Sequence, residues 1–241
     1  MKKTLVLMAI VGAVIVITGC GTTGKFIYPA NMSTLYKSGA DAAVQKKVAV
    51  VPFDDYRADE NSNFFPAYLV PLFPYGWADY ERPDAAAQFA SIVKYDVTPA
   101  EDLAKATATS LRRSGLFTDA FFTMGGEKDR ADFVVSGRIK VMRHNGKMLT
   151  YGLSVFGPLL WYIGAPAAKC DNVIALELEM RNKAGKIIWE CTIDRQDALW
   201  IWLYHRMGWD CKAFASMYQD AMNAALVNLS ARINSNPELF K

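Results

Sequence analysis

The side chains most able to take part in chemistry are few in this sequence and stand far apart. Two adjacent carboxylates, Asp54 and Asp55, follow an apolar run, and the carboxyl end of such a strand is where open α/β sheets bind ligands. Capping of turns in a solvated loop is their alternative role, and we favour it. His144 and His205 lie in separate segments, without an H-E-x-x-H, G-x-S-x-G or P-loop sequence.

A metal centre has little support. His205, Asp210 and Cys211 carry metal-ligating side chains close together in sequence, but their spacing matches no known zinc site. We therefore expect no metal, no cofactor and no enzymatic activity. A hydrolase with an unrecognised site is the weakest alternative.

A different chemistry is indicated at the start of the chain. Lys2 and Lys3 precede an apolar run from Leu5 to Ile17, which suits a signal peptide and is too short to span a membrane. The run ends in Ile17-Thr18-Gly19-Cys20, which resembles the bacterial lipobox, where small residues precede a cysteine that accepts lipid. We expect residues 1–19 to be removed and Cys20 to be acylated. The alternative is an ordinary secretory signal with a coincidental cysteine.

Acylation would fix the location of the protein. Two or three acyl chains exceed the single chain that gives only reversible membrane binding. Gly21 and Thr22 follow Cys20, so no aspartate is present there to resemble an inner-membrane retention signal. We expect an outer-membrane lipoprotein whose domain faces the periplasm.

The remaining cysteines leave two arrangements open. Cys170, Cys191 and Cys211 allow one intramolecular disulfide at most, either Cys191–Cys211 or Cys170–Cys191. Buried free thiols, packed as small apolar groups, are the alternative.

Composition excludes several classes of protein. The 241 residues are 52% hydrophobic and 21% charged, which is enough apolar material for a core and excludes disordered, collagen-like and disulfide-scaffold chains. The chain has 27 basic and 24 acidic residues, and removal of Lys2 and Lys3 leaves it near neutrality. No basic surface for nucleic acid is therefore expected.

The elements that would position these residues follow from patterning. Residues 20–43 are predicted to be a tether. Residues 46–55 contain a continuous apolar run and predict a central strand buried on both faces. A helix over 99–114 has Thr98 as N-cap, with Glu101 completing a capping box, and ends before Gly115.

Three further strands and a second helix complete the predicted domain over 44–235. The strands cover 131–142, 173–180 and 186–193, and the helix covers 210–233. A turn at 182–185 joins the last two strands into a hairpin. The fold predicted is a single α/β (α+β) domain, with a mixed sheet of about four strands, two main helices and the order β-α-β-β-β-α. Two inserts interrupt it, a long irregular one at 56–96 and an apolar one at 148–168.

Four segments in this order resemble one superfamily of envelope domains. They are VAVVPFDD (Val48–Asp55), LAKATATSLRRSGLF (Leu103–Phe117), ADFVVSGRI (Ala131–Ile139) and AGKIIWE (Ala184–Glu190). The superfamily includes the curli secretion lipoprotein, the outer-membrane activator of penicillin-binding protein and the amino-terminal domain of the Tol-system β-propeller protein. The resemblance implies a small α/β scaffold that docks partners or oligomerises. Within it, Pro52 is expected to offset a strand, and Gly137 to mark a bulge or a close backbone approach.

Aromatic and apolar blocks are the other prominent feature. Residues 148–168 contain no charge, but internal glycines and prolines argue against a spanning helix and favour a hairpin or a helical elbow. Residues 64–77 and 198–204 are also rich in aromatic residues. We predict one interaction surface that includes Trp161, Tyr162, Trp200, Trp202, Tyr75 and Trp77. Burial in the core is the alternative, and a membrane-contacting surface is a further one.

Three functions from different classes therefore remain. The first is a lipid-anchored adaptor or assembly factor that contacts envelope proteins or itself. The second is an oligomeric, membrane-inserting secretion or pore component, although 149–168 lacks the alternation of a barrel strand. The third is the unrecognised hydrolase.

Overall fold

The computed structural model describes residues 22–39, 44–85, 93–206 and 212–241. The predicted signal peptide, the lipobox and Cys20 lie outside these residues, as do Asp210 and Cys211. Among the helices described, none combines the length and the apolar character needed to cross a membrane.

The described residues form a mixed α+β fold. The strands are Thr22–Lys25 (β1), Val44–Val50 (β2), Asp54–Asp55 (β3), Asn61–Phe64 (β4), Tyr75–Tyr80 (β5), Val93–Asp96 (β6), Phe117–Phe122 (β7), Phe133–Leu149 (β8), Ala168–Asn182 (β9) and Ile187–Ile201 (β10). The helices are Pro99–Ser114 (α1), Pro158–Tyr162 (α2) and Lys212–Ser235 (α3).

One open sheet of eight strands organises the domain. Its main path has the order β10-β9-β8-β2-β7, and β3, β4 and β5 complete it. Strand β8 pairs with strands on both parts of the sheet: its first residues pair in parallel with β2, whereas its last residues pair antiparallel with β5. β1 and β6 form a separate parallel pair. The predicted sheet of about four strands is thus too small, because the extra strands come from segments assigned to inserts or left unassigned.

The predicted central strand is confirmed over its apolar part. Val48, Ala49 and Val50 are fully buried, and consecutive burial means that both faces of β2 are covered. The strand is interrupted at Pro52, and pairing with β8 resumes at Asp54. Pro52 therefore offsets the ladder as expected of a residue without an N–H.

Helix α1 has the predicted bounds but a different cap. Gly115 ends it in the left-handed conformation, with φ of 71°. The backbone N–H of Thr98 donates to Asp102 Oδ2 at 2.7 Å, whereas Glu101 accepts from Lys105. The capping box predicted with Glu101 is therefore wrong, since Asp102 takes that role.

The long helix α3 closes the core over β9 and β10. Its apolar face is buried through Phe214, Met217, Met222, Leu226 and Leu229. Tyr218, between them, is also fully buried, and its hydroxyl lies 2.6 Å from Thr107 Oγ1 of α1. Burial raises the pKa of Tyr218, so that side chain stays neutral and joins the two helices.

The amino-terminal segment is packed on the domain along residues 22–39, where the sequence predicts a tether. Tyr28 lies edge-on to Tyr218, and its hydroxyl lies 2.5 Å from Ser110 Oγ. Burial raises the pKa of Tyr28 to about 12. Gln219 accepts from the backbone N–H of Asn31 at 2.9 Å and donates to its carbonyl at 2.6 Å. Side chains of α1 and α3 thus hold this segment in place.

The insert predicted as irregular over 56–96 contains regular structure. β4 and β5 form an antiparallel hairpin, and β5 pairs with β8 from Tyr75↔Leu149 to Tyr80↔His144. The inward positions of β5 are Gly76, Ala78 and Tyr80. Because two of these are small, the apolar alternation of an ordinary strand is absent from the sequence.

One of the two candidate disulfides is wrong. Cys170 pairs with Leu199 across β9 and β10, so Cys191 lies eight residues farther along β10, roughly 26 Å away. A disulfide needs about 4.4–6.8 Å between Cα atoms. Cys170 and Cys191 therefore do not bond to each other, and Cys211 of the other candidate lies outside the described residues.

Candidate interaction surface

The carboxylates expected after the central strand serve a structural purpose. The guanidinium of Arg57 donates to both carboxylate oxygens of Asp55, at 2.9 and 2.8 Å, and also to Asp84. Its hydrogen bonds hold the pKa of Asp55 below the usual range. A general base needs a pKa near the working pH, so Asp55 is poorly suited to that role.

Other groups singled out for chemistry also lie apart. Asp54 is exposed and lines an open groove of about 500 Å³ with charged residues of β8 to β10. His205 is exposed in the turn after β10, where its carbonyl accepts from Trp202 N–H at 2.9 Å. Burial raises the pKa of Cys191, which keeps the thiol protonated and unreactive. In the part of the chain that is described, no three His, Cys, Asp or Glu residues are grouped as metal ligands.

The predicted aromatic residues are gathered at one end of the sheet. Tyr75 and Trp77 lie on β5, which pairs with the last residues of β8. Trp200 is at the end of β10, and Trp202 is in the turn that follows. Trp161 belongs to α2, and its indole N–H donates to the carbonyl of Leu149 at 2.8 Å.

Beyond these strand ends lies a surface that we call the apolar end, made of residues 69–74 and 150–167. Neither segment contains a charged residue. The two are joined by hydrogen bonds: Leu72 N–H donates to Gly152 O at 2.9 Å, and Ser154 Oγ donates to Leu69 O at 2.5 Å. Gly157 is required here, because a Cβ would lie 2.5 Å from the backbone of Thr150. The apolar end therefore consists of two loops that are held together by hydrogen bonds and close packing.

Large apolar side chains of this end point to solvent. Leu72 is 89% exposed, Ile163 80% and Phe156 66%, and Val155 and Leu159 are also exposed. The segment turns through a short 3-10 turn, Ser154–Phe156, into α2, which is the elbow rather than the hairpin of the two sequence alternatives. These side chains contribute no core packing, so the alternative that they are core is wrong for them.

A row of aromatic and lysine side chains borders the apolar end on the outer face of the sheet. Phe64 pairs with Trp77, Trp77 with Lys147, Lys147 with Lys169, and Lys169 with Trp200. Residues directly paired across strands project to the same face, so we call these five the aromatic row. Lys147 Nζ lies 5.4 Å from the Tyr75 ring centroid and Lys169 Nζ 6.0 Å from that of Trp200.

Sequence reasoning found the aromatic members of this surface but not its lysines. Trp77, Trp161 and Trp200 stand out because their blocks lack charge. Lys147 and Lys169 resemble any exposed lysine until the strand register places them side by side. The segments 64–78 and 148–168 both lack charged residues, but that shared feature does not give the strand register.

The similarities of this chain to known proteins are distant. No protein-family model matches it, and no curated protein sequence does. A DUF330 protein of Xanthomonas campestris has 8% identity and a TM-score of 0.45, with 89% of this chain and 99% of that one covered. A dodecameric PelC variant of Paraburkholderia phytofirmans has 19% identity and a TM-score of 0.38, with 78% of this chain and 92% of that one covered. A Helicobacter pylori homologue of neuraminyllactose-binding haemagglutinin has 9% identity and a TM-score of 0.38, with 89% of this chain and 97% of that one covered. Likenesses this distant establish neither family nor function.

Proposed function

We propose that this protein is an outer-membrane lipoprotein, anchored by acylated Cys20, that acts without catalysis as an adaptor or assembly factor in a periplasmic envelope complex. The observation that carries this proposal is the apolar end, with Leu72, Phe156 and Ile163 exposed together on two hydrogen-bonded loops. Contiguous apolar surface of this kind marks a site of contact with protein or with membrane.

The chemistry of the described residues supports contact over catalysis. The most prominent carboxylate, Asp55, is neutralised by a buried arginine, and the thiol of Cys191 is held protonated. The lipobox-like sequence before Cys20 supplies the membrane anchor.

The experiment compares the full chain with a Cys20→Ser variant in the native host. The wild-type protein is expected to incorporate labelled palmitate, to sediment with outer membranes and to be recovered after chemical crosslinking in a complex larger than its processed monomer. The Cys20→Ser protein is expected to remain an unlabelled precursor. Normal acylation of that variant would contradict the anchor. Recovery of wild-type protein only as an uncomplexed monomer would contradict the adaptor role.

A further inference from the structure

The packing of the amino-terminal segment shows which end of the domain is nearest Cys20. Helix α1 begins beside the first residues of β8: the Ala100 carbonyl accepts from Phe53 N–H at 2.9 Å, and the Phe53 ring lies on Gly137. Tyr95, five residues earlier, lies nearer the end of β8, with its ring centroid 5.3 Å from that of His144. The chain from Ala100 back through β6 therefore runs towards Leu149 and the apolar end.

Strand β1 extends this path to the start of the described chain. It is parallel to β6, with Gly24 opposite Tyr95, so the direction from Lys25 back to Thr22 also leads towards the apolar end. Cys20 precedes Thr22 by two residues, which span at most about 7 Å. An acylated Cys20 would therefore hold the apolar end of the domain, rather than its opposite end, close to the membrane.

Leu72, at the apolar end, combines a strained backbone conformation with an exposed apolar side chain. Leu72 has a φ of 71°, a left-handed conformation in which glycine or asparagine is less strained than leucine. Its side chain is the most exposed large apolar side chain among the described residues. A leucine that is strained and buries almost nothing contributes little to folding, and an observed strain of this kind points to a functional contact.

The order of chemical groups along the sheet matches the depth profile of a lipid interface. Aliphatic side chains lie outermost, on loops without charge. The aromatic row follows, where Trp77 and Trp200 flank Lys147 and Lys169. Tryptophan rings favour the headgroup level of a bilayer, and lysines extend their ammonium groups to the same level. Farther along the sheet come ion pairs such as Arg143–Asp79, which suit water.

We propose that the apolar end inserts into the interfacial layer of the lipid leaflet that holds acylated Cys20, with the aromatic row at the headgroups. This inference rests on the proposed lipid anchor and names the contact that the apolar end makes. The acyl chains and the exposed loops then form two attachments at one end of the domain. The turn at 182–185, at the other end of β9, faces away from the membrane.

Photocrosslinking in native-host membranes distinguishes lipid from protein as the occupant. A benzophenone amino acid replaces Phe156 in the full chain, and the matched control carries it at Lys183 in the distal turn. Lipids are labelled with radioactive phosphate before irradiation. We expect phospholipid adducts from position 156 and none above background from position 183. Addition of Leu72→Asp, at a position without core contacts, should lower the adduct yield at 156.

The possible outcomes separate this inference from the proposed function. Acylation is measured on the same samples by intact mass. An acylated chain with protein adducts at 156, or with none of either kind, overturns insertion but leaves the anchor intact. A chain without acyl groups overturns the anchor, whatever position 156 contacts. Equal lipid labelling at 156 and 183 also contradicts insertion, because it would reflect collision rather than orientation.

Discussion

The ring of Phe53 lies directly over the backbone of Gly137. A Cβ at position 137 would come within 2.8 Å of Phe53 Cγ, closer than real Cβ contacts allow. Of the two roles the sequence offers for Gly137, close approach is therefore the correct one, and the nearby register shift falls between Ile139 and Val141 instead. The contact fixes the crossing from β2 to β3 against β8.

Substitution of Gly137 by alanine should thus destabilise the fold. The methyl group must displace a ring that is buried to 97%, and overpacking of this kind costs about 1–3 kcal/mol. The matched control is Gly126→Ala, since no atom lies within 4 Å of a Cβ at that position and its φ is not positive. Denaturant unfolding should show a loss for Gly137→Ala and a change within about 0.5 kcal/mol for Gly126→Ala. Equal effects at both sites would contradict the contact.

Aspartate substitutions should separate core from contact surface. Val50 is fully buried, and an unpaired buried charge there costs several kcal/mol, so Val50→Asp should prevent folding. Leu72→Asp places the same charge on an exposed position and should leave the unfolding free energy within about 0.5 kcal/mol of wild type. Circular dichroism with thermal unfolding measures both. Unfolding of the Leu72→Asp protein would show that the apolar end supports the core.

Gln219 should control the docking of the amino-terminal segment. Its side chain is buried and exchanges hydrogen bonds with Asn31 and with Thr34 Oγ1 at 2.8 Å. Gln219→Ala should cost about 1–3 kcal/mol and expose the Asn31 amide to hydrogen exchange. Gln196→Ala, on an exposed position of β10, is the control and should change neither quantity. Unchanged exchange at Asn31 in Gln219→Ala would show that other contacts hold the segment.

Acid should weaken the domain through two arginine-bound aspartates. Arg57 lowers the pKa of Asp55, and Arg143 lowers that of Asp79. A carboxyl group whose pKa is lowered by folding stabilises the protein above its unfolded pKa of about 3.9 and loses that contribution as the pH falls through the folded value. The melting temperature should therefore decrease below about pH 4. Asp55→Asn should melt lower at neutral pH and show a smaller decrease in acid. A pH dependence identical to wild type would contradict the role of Asp55.

The elements predicted best are those whose local pattern agrees with their final environment. The helix from Pro99 to Ser114 has a proline at its start, a glycine after its end and an apolar stripe that faces the core. The run from Val48 to Val50 is buried on both faces, so it needs no alternation to be recognised. The turn at 182–185 also lies where the sequence places it.

The missed strands carry inward residues that hide the period of a strand. After Met142 the inward positions of β8 are His144, Gly146 and Met148, and a register shift moves the inward positions from odd to even numbers. The buried histidine is held by Asn172, whose Oδ1 lies 2.7 Å from His144 Nδ1. Such polar pairing becomes recognisable only once the strands are aligned.

The candidate site was predictable in composition but not in arrangement. Charge-free blocks identify Trp161 and Trp200 as members of an apolar surface. The placement of Lys147 and Lys169 between tryptophans depends on the register of four strands, which no single segment of sequence determines.

Fluorescence quenching by brominated lipids tests most directly whether the apolar end lies in the membrane. The full acylated chain is reconstituted into vesicles whose phospholipids carry bromine near the headgroup, and tryptophan emission is compared with that in unbrominated vesicles. The account predicts strong quenching that decreases in Trp161→Phe and Trp200→Phe. It should persist in Trp189→Phe, since Trp189 is buried with its indole N–H bound to Asn228 of α3. Quenching that is absent, or equal in all three variants, would contradict the membrane contact of the apolar end.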